Sequence, residues 1–340
     1  MRTRLTDAFA IQHPVLCAPM ALVTGGRLAA AVSAAGGLGI VGGGYAGILG
    51  GEPDLQQELT YVRGHKFGIG FITWALERAP HLLDEVLAHS PDCVFLSFGD
   101  PGPFASRIRR SGAKLICQVQ SLRHVDQAID AGADVIVAQG TEAGGHGAQR
   151  STMPFVPEVS DYLARKSPAT LLLAAGGIAD GRGLAAALML GADGVVVGTR
   201  FWASAEALTP TVMTERAHRL TGDDTVRTTA LDALRGVSWP DEFSFRFINN
   251  KLSAEWIHRE PEAKAAFGSL ASAYAEARSR QDFDMVAVVA GECIGLIHDR
   301  SNAATILEAM VTQAQALLQR GGKLDFTSGA VPAAALREKK

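Results

Sequence analysis

The sequence predicts an α/β fold, a (β/α)8 TIM barrel with a helical insertion between strand 8 and the last helix. Three observations predict it. Eight short apolar runs recur along roughly the first 200 residues, with starts about 20–36 residues apart. Each run ends in a loop bearing Gly or polar residues, and the first seven lead into helical patterns. The runs are apolar on both faces, as strands of a buried parallel sheet are, and parallel neighbours need helical crossovers.

The strands are expected at Val15–Met20, Leu38–Gly42, Phe67–Ile72, Cys93–Ser97, Leu115–Val119, Val135–Gln139, Leu171–Ala175 and Val195–Gly198. Helical patterns between them include RLAAAVSAAGG, HLLDEVLAHS, PFASRIRRSGA, LRHVDQAIDAGA and GRGLAAALMLGA. The eighth helix, NAATILEAMVTQAQALLQR, is displaced by about a hundred residues from the eighth strand. Residues 209–297 lie between and include the aromatic segments FSFRF and AEWIH. They are read as a helical insertion, or lid, near the barrel mouth. The barrel domain is therefore assigned to 1–208 and 298–320, and a C-terminal tail to 321–340.

The 340 residues carry 32 Lys+Arg against 35 Asp+Glu, a formal net charge of −3, and 47% are hydrophobic. That is too apolar for a disordered chain and lacks the basic excess of a nucleic-acid binder. The N-terminal MRTRLTDAFAIQHP has no apolar core for a signal peptide. The longest charge-free stretch, Leu28–Gly51, is broken by nine Gly and does not read as a membrane span. Cys17, Cys93, Cys117 and Cys293 form no C-x-x-C pair, and no His/Cys cluster has zinc spacing. A cytoplasmic protein with buried thiols and no metal is expected.

Two loops carry glycines where a (β/α)8 barrel commonly holds a phosphate, after strands seven and eight. In AAGGIADGRG (Ala174–Gly183), Gly176 and Gly177 can offer bare backbone N–H groups, and Asp180 can cap the next helix. In VVVGTRF (Val195–Phe201), Gly198 and Thr199 end the strand. GLGIVG (Gly37–Gly42) matches G-x-G-x-x-G, but a helical pattern precedes it and its own core is the strand, the reverse of a dinucleotide fingerprint. Gly42, Gly43 and Gly44 are expected instead to let backbone pass near a flat ligand.

The run Val135–Met153 leaves strand six, where barrel active sites form. Gln139 is an amide at a strand end, able to donate and accept. Glu142 is a carboxylate beside a glycine turn, and Gly144 and Gly145 permit unusual φ or close approach. His146 sits at the tip, and imidazole titrates near neutrality, so it can move a proton. Gln118 ends strand five as a candidate ligand contact, and Met20 ends strand one. His13, His81, His89 and His124 read as structural. There is no P-loop and no G-x-S-x-G elbow.

These residues carry a resemblance. The chain resembles the nitronate monooxygenases, formerly 2-nitropropane dioxygenases, a flavin-dependent (β/α)8 family. The likeness rests on QGTEAGGHG at Gln139–Gly147, CAPM at strand one, GFITW at Gly70–Trp74, AAGGI-x-DGRG at strand seven and GTRF at strand eight. AEW at Ala254–Trp256 and AGE-x-x-GLI at Ala290–Ile297 extend it across nearly the whole chain. The resemblance implies FMN as cofactor. Ala18, Pro19 and Met20 would lie along its ring, Gln139 and Gly144 would contact it, and Gly177 with Val196, Val197, Gly198 and Thr199 would hold its phosphate end. His146 would be the catalytic acid or base. Many bacterial members have Asn in a G-V-N stretch at the end of strand three, where this chain has Gly68-Ile69-Gly70, so Gly70 stands where a flavin contact would be.

The implied reaction converts alkyl nitronates, such as propionate 3-nitronate, with O2 into a carbonyl compound and nitrite. His146 would either remove an α-proton or hold the anion as imidazolium. Two other readings stay open: an NAD(P)H-dependent flavin reductase of the quinone reductase or enoyl-ACP reductase type, and a ligand-binding barrel without turnover. Gln139, where the enoyl reductases tend to have Glu, favours the nitronate reading. The partners implied are a small nitronate or nitroalkane and O2, with no nucleic acid or membrane. Monomer and homodimer are both compatible.

Overall fold

The computed structural model describes residues 1–47, 52–235, 237–257 and 259–321. The tail expected at 321–340 lies, beyond Gly321, outside the described residues.

The strands, in chain order, are β1 (Val15–Cys17), β2 (Gly39–Gly42), β3 (Phe67–Ile72), β4 (Cys93–Ser97), β5 (Lys114–Val119), β6 (Val135–Gln139), β7 (Gly145–Gly147), β8 (Leu171–Ala175), β9 (Gly194–Val197), β10 (Thr225–Thr228) and β11 (Ser244–Ile248). Eight of them form one sheet in the order β1-β9-β8-β6-β5-β4-β3-β2, paired in parallel throughout. A parallel bridge between Leu16 and Leu38 joins the two ends and closes the ring. There the Cys17 N–H donates to the Leu38 carbonyl at 2.9 Å, and the Leu38 N–H to that of Val15 at 3.1 Å. All eight expected barrel strands therefore exist.

β1 stops at Cys17 rather than Met20. Pro19 has no N–H to continue a ladder, and the chain turns so that the Met20 N–H donates back to the Ala18 carbonyl at 2.9 Å. β9 ends at Val197, because Gly198 caps the short helix Thr199–Trp202.

Side chains alternate between the barrel interior and the helical shell. Leu16, Ile40, Phe95, Ile116, Val137, Leu173 and Val196 fill the interior, joined by Leu5 and Phe9 of the N-terminal helix Arg4–Phe9. β3 supplies none of this set; its Phe67, Ile69 and Phe71 belong to the outer core, and Gly68 and Gly70 alternate with them. The last helix, Ala303–Gly321, returns to pack on Gly181–Met189, and a Cβ at Gly181 would lie 2.5 Å from the Met310 carbonyl oxygen.

The segment expected to be helical is mixed. It contains the helices Thr211–Ala217, Ala230–Leu234, Lys251–Trp256 and Glu260–Ser279. It also contains β10 and β11, which pair antiparallel with each other and, through β11, with β7. FSFRF is the source of β11: Phe245 and Phe247 alternate with polar neighbours at period two and are both buried. Full burial of a side chain that size is worth about 1.5–3 kcal/mol. The β7–β11 pairing ties the histidine loop of the barrel to the insertion.

All four cysteines are free and buried, and burial pushes the thiols of Cys17 and Cys293 up to about 12 and about 11. Among the described residues, no helix is long and apolar enough to cross a membrane, and no group of three or more His, Cys, Asp or Glu could hold a metal ion.

Candidate active site

A cavity of about 240 Å³ opens at the C-terminal end of the barrel strands. It is lined by Ala18, Pro19, Met20, Gly70, Gln118 and Gln139, and by Gly144, Gly145, His146, Gly176 and Gly177. Val196, Gly198 and Thr199 complete the expected set. Val197 is the exception. As the neighbour of inward-facing Val196, it packs into the outer core, and only its carbonyl reaches the rim, accepting from the Ala18 N–H at 2.9 Å.

The two phosphate-loop candidates converge on this cavity. Gly176 and Gly177 have φ of +102° and +75°, which an L side chain would strain. The N–H groups of Gly177, Gly198 and Thr199 donate to no acceptor among the described residues. Unpaired main-chain donors gathered at one wall suit an anion. Asp180 caps the helix Gly181–Met189 as expected, accepting from the Arg182 N–H at 2.9 Å.

At several other glycines a side chain would collide with the protein itself. A Cβ at Gly144 would lie 2.6 Å from the Ala290 carbonyl carbon, and one at Gly42 2.6 Å from the Met20 carbonyl oxygen. A Cβ at Gly43 would strike Phe71, and one at Gly70 would strike Pro19. The ligand role expected of Gly42 and Gly43 is thus corrected; Gly44 alone of that trio lines the cavity. At Gly70, Pro19 fills the space that an Asn side chain would need.

Gln139 is committed to holding the loop. Its Nε2 donates to the His146 carbonyl at 3.1 Å, and its Oε1 accepts from Gln120 Nε2 at 2.9 Å. Gln118 lines the cavity, and its amide makes no hydrogen bond among the described residues. Glu142 caps the helix Thr152–Lys166, accepting from the Thr152 N–H at 3.0 Å and from its hydroxyl at 2.8 Å.

His146 is buried on β7, opposite Phe245 of β11. Its Nε2 lies at hydrogen-bond distance, 2.9 Å, from Asp232 Oδ2. Trp239 stacks on the ring at 3.4 Å between centroids and 9° between planes, and Phe245 lies at 4.6 Å and 25°. Burial pushes the imidazole down from 6.5 to about 4, against the opposing pull of Asp232. The ring is therefore neutral at pH 7.

Two arginines of the insertion bind the loop backbone. Arg227 donates to the carbonyls of Thr141 at 2.9 Å, Ala143 at 2.8 Å, Gly147 at 3.3 Å and Ser244 at 2.6 Å. Arg246 donates to the Thr141 carbonyl at 3.0 Å and pairs with Glu292 at 2.7 Å. Tyr45, Trp74, Phe98, Trp239 and Phe243 interlock edge to face beside the histidine, with Trp74 and Trp239 5.3 Å apart.

The sequence profile of the nitronate monooxygenases matches residues 2–65 and 76–313. The chain belongs to the nitronate monooxygenase family. One relative, the nitronate monooxygenase npaC of Metarhizium robertsii, is 36% identical over 349 aligned residues, covering 89% of this chain and 91% of that protein. Among solved structures, FabK from Thermotoga maritima matches with a TM-score of 0.79 at 30% identity, covering 95% of this chain and 100% of that one. A nitroalkane oxidase from Streptomyces ansochromogenes matches with a TM-score of 0.76 at 25% identity, covering 93% and 99%. In this nitronate monooxygenase family member, sequence reasoning missed Asp232, Trp239, Arg227 and Arg246. None lies in a recognised motif, and each meets the histidine loop only through the β7–β11 pairing.

Proposed function

We propose that the protein uses FMN to oxidise alkyl nitronates with O2 to a carbonyl compound and nitrite. The observation that carries this reading is one cavity lined both by unpaired main-chain donors and by a buried, neutral His146. Gly177, Gly198 and Thr199 would hold the phosphate of FMN, and Ala18, Pro19, Met20 and Gln118 would border its ring. When bound, FMN supplies the redox chemistry, accepting electrons from the substrate and passing them to O2.

The chain's own residues do the rest. Trp239 and Phe245 cover both faces of His146 and keep water from it. A neutral ring accepts a proton rather than anchoring an anion as a cation, so His146 serves as base. A neutral nitroalkane brings an α-proton to that ring; a nitronate arrives without one.

The test is turnover with propionate 3-nitronate, followed by O2 consumption and nitrite release. Nitrite production coupled to O2 uptake, without NADH, is expected. No nitrite, together with rapid NADH oxidation in the presence of a quinone, would overturn the reading in favour of a flavin reductase.

A further inference from the structure

Asp232 lies 86 residues from His146 in the chain, on the helix Ala230–Leu234 of the insertion. Both side chains are buried, with 4% and 6% of the His146 and Asp232 side chains exposed. A carboxylate oxygen is the natural acceptor at such a contact and the ring N–H the natural donor. The Nε2 of His146 therefore carries the hydrogen at the 2.9 Å contact, and the lone pair of the neutral ring is on Nδ1. No described residue hydrogen-bonds to Nδ1, and the ring lines the cavity. Trp239 and Phe245 hold the ring plane from both sides. They fix the plane, but only a polar partner can choose which ring edge faces inward.

We propose that Asp232 is the positioning residue that commits His146 to the tautomer with its proton on Nε2 and its basic lone pair on Nδ1. This rests on the reading of His146 as base given above. In the step served, the α-C–H bond of a neutral nitroalkane breaks. Its electron pair delocalises into the nitro group to form the nitronate, and the proton goes to Nδ1. The imidazolium so formed lies beside a carboxylate, which favours proton uptake. Three charged groups bear on the ring: Asp232 from the insertion helix, Arg235 just after that helix, and Arg227 from β10. Arg235 Nη1 lies 3.6 Å from Asp232 Oδ1 and offsets its buried charge.

The role separates two substrates. A nitroalkane needs the proton removed; a preformed nitronate does not. Asp232→Asn is expected to lower kcat for a nitroalkane on the order of 10- to 100-fold, with KM little changed, and to lower kcat for the matching nitronate by much less. The acid limb of the nitroalkane pH profile should move to lower pH, because the ring loses the anion that favours its protonated form. Equal losses on both substrates, or an unmoved acid limb, would overturn the proposal.

A second measurement needs no turnover and leaves Asp232 in place. ¹⁵N spectra of histidine-labelled wild-type protein, with His146 assigned by its loss in His146→Gln, should show a neutral ring protonated at Nε2. A ring protonated at Nδ1, or one averaging between tautomers, would overturn the proposal. It would do so even if nitrite release had already established the activity. Conversely, an Nε2-protonated ring in a protein that turns over no nitronate would leave the Asp232 assignment standing and sink the activity.

Discussion

The barrel rim and the insertion build one cavity with opposite chemistry. The rim works through main chain: Gly176, Gly177, Gly198 and Thr199 present backbone, and the glycines matter for what they lack. The insertion works through side chains: Asp232, Trp239 and Phe245 surround the imidazole, and Arg227 and Arg246 hold the carbonyls of its loop. Main-chain donors bind an anion through N–H groups that no side chain supplies, whereas a proton acceptor depends on the charges and rings around it. The two regions should therefore fail separately, one by losing cofactor and the other by losing proton chemistry.

The sharpest way to break that division is Gly177→Asp. The residue has φ +75° and lines the cavity, so the substitution adds backbone strain and a negative charge where an anion is proposed to sit. The purified variant should lose its flavin absorbance almost completely. A fully coloured variant would remove the phosphate from this loop and, with it, the rim's half of the comparison.

A smaller effect sharpens the insertion's half. Burial lowers the His146 pKa from 6.5 to about 4, so between those values the unfolded chain binds more protons than the folded one. The contribution to stability is complete above pH 6.5 and is lost as pH falls toward 4. The melting temperature should drop through that window in the wild type, and drop less in His146→Gln. Identical acid profiles for the two proteins would mean that the ring is not buried as a neutral group.

The same division explains what the sequence showed. The eight barrel strands were legible because each is an apolar run buried on both faces, and the run at β1 was overextended only where Pro19 ends the ladder. The rim was legible because its glycine loops and the histidine motif are local in sequence. β10 and β11 were not, since strands of four and five residues leave a weak period-two signal. Asp232 and Trp239 were hidden for a different reason: their roles come from strand pairing across 80 or more residues, and neither belongs to a motif that announces it. The family resemblance places Val197 on the ligand, whereas alternation along β9 turns its side chain into the outer core.

The most direct test is the visible spectrum of His146→Ala beside its nitroalkane turnover. The account predicts flavin content equal to that of the wild type, because the glycine loops of the rim are untouched, and a rate lower on the order of 10²-fold or more, because the proton acceptor is gone. A variant that retains full turnover, or one that is purified without flavin, would contradict it.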